Sequence, residues 1–192
     1  MVQKVKKNMT VFALFPKWIE KVKIEKNEYT LVLRNPQDIL SVCQVLKNHS
    51  KTQYKMLIDL TAVDYPSRQK RFEVVYHFLS LHQNQRIRVK VEVDQTQVIE
   101  SVTSLFPAAN WFERESWDMF GICFLNHPDL RRILTDYGFE GHPLRKDFPL
   151  TGYLEFKYDD SKKRVIAEPV ELAQQFRSFH FESPWEVIPQ KF

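Results

Sequence analysis

The sequence predicts an α+β protein: a two-layer sandwich in which helices cover one face of an antiparallel sheet, followed by a loop-rich region and an extended C-terminal arm. Several segments alternate apolar and polar residues with the period of a half-buried strand, and others repeat apolar residues with the period of a helix. Their order is strand, helix, strand, strand, strand, helix, which is typical of helices packed on one sheet face. The four glycines lie between residues 121 and 152, so irregular backbone is expected to be confined to that region.

The first predicted element is a short amphipathic helix within a basic N-terminal segment, residues 1–27. Apolar residues recur there at helical spacing: Leu14, Phe15, Trp18 and Val22. The α+β domain is predicted over residues 28–120, and it opens with a strand at 28–34, where every second residue is apolar.

A helix is predicted directly after this strand. Asn35 is a favourable N-cap, Pro36 fits the first turn, and Asp38 adds an acid where the helix dipole favours one. One apolar stripe follows, and the helix is predicted to end near Asn48. The stripe consists of Ile39, Val42, Cys43 and Leu46.

Three further strands are predicted at residues 56–60, 72–79 and 86–93, where apolar residues alternate with polar ones. Short polar loops join them, so they are expected to pair in antiparallel fashion. A second helix is predicted before Pro107, capped by Asp94 or Thr96. Its inward residues would be Val98, Val102, Leu105 and Phe106.

The remainder divides into a signature loop region, residues 121–149, and an arm, residues 150–192. The arm shows little periodicity but contains many aromatic residues, which disordered tails usually lack. It is therefore expected to be an ordered extended segment that needs a partner surface. Its predicted anchors are Phe176, Phe179, Phe181 and Trp185.

Composition excludes several classes of protein. No apolar run approaches the roughly 18 residues of a membrane span. The net charge of +4 is concentrated in residues 1–26 and 66–90, which suggests a solvated basic surface, an acidic partner, nucleic acid or anionic lipid. The first 19 residues contain no acid but also no arginine or serine, which favours an uncleaved, organelle-encoded terminus over a presequence.

Metal and cofactor ligand sets are not visible in the sequence. The two cysteines, Cys43 and Cys123, are 80 positions apart, whereas iron-sulfur clusters usually take about four thiolates in short runs. Both are interpreted as packing residues. The six histidines show no metal-binding spacing and are interpreted as hydrogen-bonding residues. No glycine-rich phosphate-binding motif occurs.

The acidic cluster of Glu113, Glu115 and Asp118 lies on a predicted helix that ends at Gly121. Arg114 and Asp118 are spaced as an i,i+4 ion pair. Three interpretations remain open: an acid-base dyad, an ordinary solvated helix, or a cluster that anchors a loop or interface. In the loops that follow, the arginines of Arg131-Arg132 and Arg145-Lys146-Asp147 favour carboxylates of a neighbouring protein.

The same stretch resembles a known family. Glu113-Arg114-Glu115, Asp118, His127, Arg131, Arg132, Ile133 and Leu134 follow one another at spacings similar to the signature of the thirty-kilodalton subunit of respiratory complex I. This family includes the equivalent subunit of bacterial NADH-quinone oxidoreductase and subunit 9 of mitochondrial NADH dehydrogenase. DYGFEGHPLRKDFPL and EPVELAQQFRSFHFESPWE resemble its mitochondrial and alphaproteobacterial form, and the resemblance covers residues 28–186.

The resemblance implies a core subunit of the hydrophilic arm of NADH-ubiquinone oxidoreductase, without an active site or cofactor of its own. FMN and iron-sulfur clusters are expected in partner subunits, and the chain is expected to pack against the large quinone-site subunit and cluster-bearing subunits on the matrix side of the mitochondrial inner membrane. It also favours an interface role for the signature residues. These are Glu113, Arg114, Glu115, Asp118, Gly121, His127, Arg131, Arg132, Arg145, Lys146 and Asp147.

Two other functions are weighed against this one. A basic nucleic-acid-binding module would need aromatic residues among its cations, which the row Arg86, Arg88, Lys90 lacks on its own strand. A small carboxylate-dependent hydrolase would need a pocket that unites Glu113 or Glu115 with a polar partner.

Overall fold

The structure is a computed structural model that describes residues 16–25 and 28–181. The described residues fall into two units, divided between Leu150 and Thr151. Within them, no helix is long and apolar enough to cross a membrane.

The first unit is built on a five-stranded sheet with helices and short strands around it. The sheet has the order β1-β2-β5-β4-β3. Its strands are β1 (Ile19–Glu25), β2 (Glu28–Leu33), β3 (Met56–Asp64), β4 (Phe72–Ser80) and β5 (Gln85–Val93). The other elements are a 3-10 turn (Pro36–Asp38), helix α1 (Ile39–Asn48), strand β6 (Ile99–Glu100), helix α2 (Ala109–Phe120) and strand β7 (Phe124–Leu125).

The sheet is mixed, so the prediction of a wholly antiparallel sheet is only partly right. The predicted antiparallel pairing of β3, β4 and β5 is confirmed. However, β2 pairs with β5 in parallel, with Tyr29 opposite Ile87 and Leu31 opposite Val89. Parallel neighbours need a long crossover, and here α1, β3 and β4 provide it. The α+β class itself is confirmed.

One face of the sheet forms the core. Alternate residues of β2, β4 and β5 point into it, and burying each large side chain contributes about 1.5–3 kcal/mol. Those on the sheet are Tyr29, Leu31, Leu33, Phe72, Val74, Tyr76, Phe78, Ile87, Val89, Val91 and Val93. Helix α1 adds the predicted stripe of Ile39, Val42, Cys43 and Leu46, all buried, and it ends at Asn48 as predicted.

The start of α1 differs in detail from the prediction. Asn35 makes no side-chain bond to a helix amide; its Nδ2 instead donates to Asp38 Oδ2 over 3.3 Å. The chain enters through a 3-10 turn whose first residue is Pro36.

The predicted N-terminal helix is wrong where the structure describes the chain. Residues Ile19–Glu25 form a strand that pairs with β2, and Val22 lies opposite Leu31. A register shift between Ile19 and Lys21 interrupts the apolar-polar alternation of this strand. Its apolar residues therefore lack the strict two-residue period that would have indicated a strand. Leu14 and Phe15 lie outside the described residues.

The predicted helix before Pro107 is also wrong. Strand β6 occupies Ile99–Glu100 and pairs in parallel with β7, while residues 103–105 form a turn. Val102 is fully buried and Phe106 is buried, whereas Val98 and Leu105 are only half-buried, although all four were predicted to face inward from a helix. The amide of Val102 donates to the Glu113 carboxylate, so this backbone group is not available for a helix.

Left-handed backbone is not confined to the glycine region, contrary to expectation. Gln53, Asn84, Asn126 and Lys163 have positive φ, and the first two lie well outside that region. Asparagine tolerates this conformation better than most residues, which explains why loops can turn there without glycine.

The second unit contains a β-hairpin where the sequence predicted an extended arm. Strand β8 (Leu154–Asp159) pairs in antiparallel fashion with β9 (Arg164–Pro169). Residues 170–181 have no regular structure, and Phe176, Phe179 and Phe181 are exposed within this unit. The fourth predicted anchor, Trp185, lies outside the described residues.

Candidate functional site

The candidate site is built on the C-terminal half of helix α2 and the loops that follow it. The helix ends at Gly121, as predicted, and the Gly121 amide donates to the Trp117 carbonyl over 2.8 Å. Gly121 has a φ of 78°, a left-handed conformation that glycine adopts without a steric penalty. The turn directs the chain back along the helix, so the acids of α2 meet residues of the signature loops.

Asp118 is the centre of this arrangement. Its side chain is fully buried, and it accepts hydrogen bonds from the backbone amides of Ile133, Leu134 and Thr135 over 3.2, 2.8 and 2.9 Å. The Thr135 hydroxyl adds a bond of 2.7 Å. Burial alone raises the pKa of Asp118, but these bonds outweigh burial and lower the pKa to about 2. The ionised carboxylate therefore holds the loop 133–135 against the helix.

Arg132 completes the Asp118 site. Its Nη1 lies 3.1 Å from Asp118 Oδ1, and its Nη2 donates to the Gly141 carbonyl over 2.9 Å. The Arg132 guanidinium therefore joins helix α2 to the loop around residue 132 and to Gly141. Its several planar N–H donors allow it to bond both partners at once.

The predicted ion pair between Arg114 and Asp118 is wrong. Arg114 donates to the carbonyls of Arg131 and Arg132 over 3.2 and 3.3 Å, while Asp118 is paired with Arg132. The i,i+4 spacing is correct for a pair on an isolated helix, but the returning loop supplies Asp118 with better donors.

Glu113 ties the same helix to the other side of the core. Its fully buried carboxylate accepts from the Ser101 hydroxyl over 2.6 Å and from the Val102 amide over 2.9 Å. The buried imidazole of His127 lies 3.8 Å from Glu113 Oε2. Burial raises the pKa of Glu113 to about 7, although the bonds from Ser101 and Val102 act in the opposite direction.

His142 and Arg145 pack over the end of α2. His142 Nδ1 lies 3.0 Å from the Asp118 carbonyl, and Arg145 Nε donates to the Phe120 carbonyl over 2.6 Å. These residues satisfy helix carbonyls that would otherwise lack partners. Burial lowers the pKa of His142, which favours the neutral ring as a packing element beside Trp117.

Replacing Gly121 with alanine is expected to destabilise the chain by more than the backbone penalty of about 1 kcal/mol that a left-handed L-residue carries. A Cβ at this position would lie 2.6 Å from His142 Nε2 and overlap the Arg145 guanidinium. Gly138 is the matched control, because its φ is 74° but a Cβ there meets nothing within 4 Å. Chemical denaturation measures both variants, and equal losses would contradict the proposed crowding at Gly121.

Asp64 is a further anchor of the signature loops, which the sequence alone did not predict. This buried residue ends β3, and it forms a two-pronged bond with Arg71 over 2.7 and 2.9 Å. It also accepts from the Lys146 amide over 2.8 Å, and Arg71 pairs with Asp147 over 3.0 Å. The hydrogen bonds of Arg71 to Asp64 lower the pKa of this acid despite its burial. The only sequence signal was an acid seven residues before an arginine, four residues beyond the end of the strand predicted at 56–60.

The structure therefore brings most of the predicted site residues together as anchors of the signature loops. Two buried acids, Asp118 and Asp64, hold these loops from within the domain, and a third, Glu113, ties α2 to Ser101 and Val102. Two other predicted residues face outward: Glu115 is exposed, and Arg131 forms a surface pair with Asp129 over 2.9 Å.

Metal-ligating side chains and thiols are the other chemistry-bearing groups of the described residues. They contain no group of three or more His, Cys, Asp or Glu side chains placed to hold a metal ion. Cys43 is buried, and burial raises the pKa of its thiol. Cys123 is exposed, so its interpretation as a packing residue is wrong.

Comparisons with known proteins agree on one family. Residues 32–154 match the family model described as the 30 kDa subunit of respiratory-chain NADH dehydrogenase. The chain is 57% identical over 180 residues to NADH-ubiquinone oxidoreductase subunit 9 of Reclinomonas americana, an alignment that covers 94% of this chain and 88% of the relative. It is 58% identical over 177 residues to NADH dehydrogenase [ubiquinone] iron-sulfur protein 3 of Marchantia polymorpha, covering 92% and 90%.

The fold also occurs in a solved respiratory assembly. A chain of the archaeal membrane-bound sulfane sulfur reductase superposes with a TM-score of 0.65 at 23% sequence identity, covering 77% of this chain and 86% of that one. At this level of identity the likeness shows the fold alone.

Proposed function

The chain belongs to the family of the 30 kDa subunit of respiratory-chain NADH dehydrogenase, and from this premise we propose that it acts as a structural subunit that carries no reacting group of its own. As a complex I subunit of the peripheral arm, it serves electron transfer from NADH to ubiquinone by the whole complex. Because the chain belongs to this family, we prefer this function to the two alternatives, a nucleic-acid-binding module and a hydrolase.

One observation carries the structural role: the acids Asp118 and Asp64 are buried, and their carboxylates are already occupied by hydrogen bonds from the chain itself. Asp118 receives three backbone amides, a hydroxyl and an arginine, and Asp64 receives an arginine and an amide. A general base must reach a substrate proton within about 2.6–3.2 Å or through one water. These carboxylates hold loops, and a substrate could reach them only if those loops were released.

The second unit supports a docking role. On one face of the β8–β9 hairpin, the three cross-strand pairs Leu154–Pro169, Phe156–Ala167 and Tyr158–Val165 are all exposed within this unit. A two-stranded hairpin is marginally stable at best in water unless its apolar face packs on something. We take this face, with Phe176, Phe179, Phe181 and Trp185, to be the surface that neighbouring subunits cover.

The proposed partners are the other peripheral-arm subunits, in particular the large quinone-site subunit and cluster-bearing subunits. The proposed location is the matrix side of the mitochondrial inner membrane. The location rests on family membership, and the partner proposal rests on family membership together with the exposed apolar surface of the second unit.

We further propose that FMN and iron-sulfur clusters reside in those partners. Some relatives are named iron-sulfur protein 3. This chain, however, has only two cysteines, Cys43 and Cys123, whereas an iron-sulfur cluster usually takes about four thiolates.

Metal analysis of two preparations tests this assignment. We expect the folded full-length chain to contain no stoichiometric iron, zinc or flavin, and the complex purified through a tag on the same chain to contain iron and flavin together with the other subunits. Stoichiometric metal in the isolated chain would contradict the assignment. A tagged chain that enters mitochondria but co-purifies with no complex I subunit would contradict the structural role.

A further inference from the structure

Glu113 differs from the other buried acids in having no strong cationic partner. Among the described residues, four acids are buried. Asp64 pairs with Arg71, Asp118 with Arg132, and Glu73 with Lys90 and Arg68, all within 3.4 Å. Glu113 has only the imidazole of His127, at 3.8 Å. An ionised carboxylate in this position would be a buried charge with hydrogen bonds from Ser101 and Val102 but no cationic partner, which is costly.

His127 is poorly placed to become the missing cation. Its Nδ1 accepts a hydrogen bond from the Asp129 amide over 3.0 Å, so the ring proton is assigned to Nε2, which donates to the Asn110 carbonyl over 3.2 Å. Protonating Nδ1 would break the bond with Asp129. The neutral ring therefore satisfies both of its contacts, and the charged ring would lose one.

The apolar side of the pocket offers no cation either. Cys43 of α1 and Tyr76 of β4 face Glu113 closely enough that its negative charge raises their pKa values, in addition to the larger effect of burial. Tyr76 Oη is fully buried and has no hydrogen-bond partner in the described part of the chain. Cys43 and Tyr76 are therefore neutral neighbours, and the pocket carries no charge when Glu113 is protonated.

A chain of hydroxyls connects this buried carboxylate to the surface. Glu113 Oε2 lies 2.6 Å from Ser101 Oγ, which lies 2.8 Å from Thr103 Oγ1. Ser101 is buried, whereas Thr103 is half-buried. A proton can therefore leave or reach Glu113 through two hydroxyls without opening the core.

We propose that Glu113 is a proton switch that controls how firmly helix α2 is tied to the segment 101–103 and to His127. In its protonated form the pocket is neutral and the tie is firm. In its ionised form the pocket contains an unpaired charge, which favours local opening of the segment. This inference concerns the chain's own stability and goes beyond its role as a structural subunit.

The direction of the pH effect follows from burial. The folded chain holds the proton of Glu113 up to a pKa of about 7, against an ordinary value of 4.5. The stabilisation is fully present below the ordinary value and is lost as pH rises through the folded value. Between these values the unfolding constant should rise by up to about tenfold per pH unit, or about a hundredfold from pH 5 to 8.

Denaturant unfolding of the full-length chain from pH 5 to 8 tests the switch with a matched pair of variants. Glu113→Gln is a neutral isostere that can accept from the Val102 amide and donate to Ser101. We expect the Glu113→Gln variant to lose the hundredfold pH dependence of the unfolding constant. The control variant Glu115→Gln, which changes an exposed neighbour, should retain it. The comparison with E113Q isolates Glu113 from other titrating groups such as His142, and a ratio of wild-type to E113Q unfolding constants that stays the same from pH 5 to 8 would overturn the proposal.

A direct titration keeps the test valid if E113Q fails to fold. The carboxyl carbon of Glu113 in the isotopically labelled wild-type chain should change its NMR shift with a midpoint near neutral pH. A midpoint near the ordinary value of a glutamate would exclude the switch. Because neither measurement depends on other subunits, failure here is distinguishable from failure of the proposed structural role.

Discussion

The Asp118→Asn variant is expected to lose at least about 3 kcal/mol of folding free energy, because breaking a buried charge pair typically costs 3–5 kcal/mol. Asparagine has nearly the same shape but offers one acceptor oxygen and an NH₂ group. Either the three amides of residues 133–135 or the Arg132 guanidinium must then face a donor. The signature loops should detach from α2, and both the amount of complex I and its NADH-ubiquinone activity should fall together.

The control for this experiment is Asp129→Asn, the same chemical change in an ion pair on the surface of the same region. Its partner Arg131 is 72% exposed and Asp129 is 53% exposed, so a cost of about 1 kcal/mol or less is expected. Denaturant unfolding measures stability, and native gel electrophoresis measures assembly. An Asp118→Asn complex that assembles normally but lacks activity would show instead that Asp118 takes part in the chemistry.

The double change of Phe156 and Tyr158 to alanine should prevent incorporation of the chain into the complex. Each buried aromatic anchor at an interface can contribute roughly 2 kcal/mol or more, so the pair should weaken docking by a factor of about a thousand. Deletion of residues 173–192, or replacement of Phe179 and Trp185 with alanine, should act similarly and leave residues 28–120 folded. Sedimentation of tagged variants with the large assembly measures incorporation.

The matched control for the hairpin is Lys157→Ala. Lys157 lies between the two aromatic residues but on the opposite face, where it pairs with Glu168 at the surface. It should enter the complex normally. Limited proteolysis gives an independent test, because residues 150–181 should be cut readily in the free chain and protected in the assembled one. Equal protection in both states would show that the arm folds back on its own domain.

The sequence was most informative where a local pattern met no competing demand. The stripe of α1 and its end at Asn48 follow from side-chain period alone, as do the antiparallel strands β3 to β5. The end of α2 at Gly121 was also predictable, because glycine takes the left-handed conformation without penalty. In these elements, local preference and tertiary packing require the same structure.

The failed predictions share a cause: residues distant in sequence outweighed the local pattern. In β1, a register shift in the pairing with β2 interrupts the apolar-polar alternation, so a helix was predicted there. At Ile99–Glu100, pairing with β7 forms a strand where a helix was also predicted. The parallel pairing of β2 with β5 depends on a crossover of about fifty residues, which no local period reports.

By itself, the sequence determined the family and the α+β class, because motif spacing and side-chain period are properties of the chain. Only the tertiary structure decided what the buried acids do. Asp118 pairs with Arg132 rather than with Arg114. Asp64 accepts a hydrogen bond from the Lys146 amide, and its partner Arg71 also pairs with Asp147. Glu113 has no strong cationic partner. The physical reason is that a buried carboxylate takes the donors that the folded chain brings within about 3 Å, and these come from up to 82 positions away.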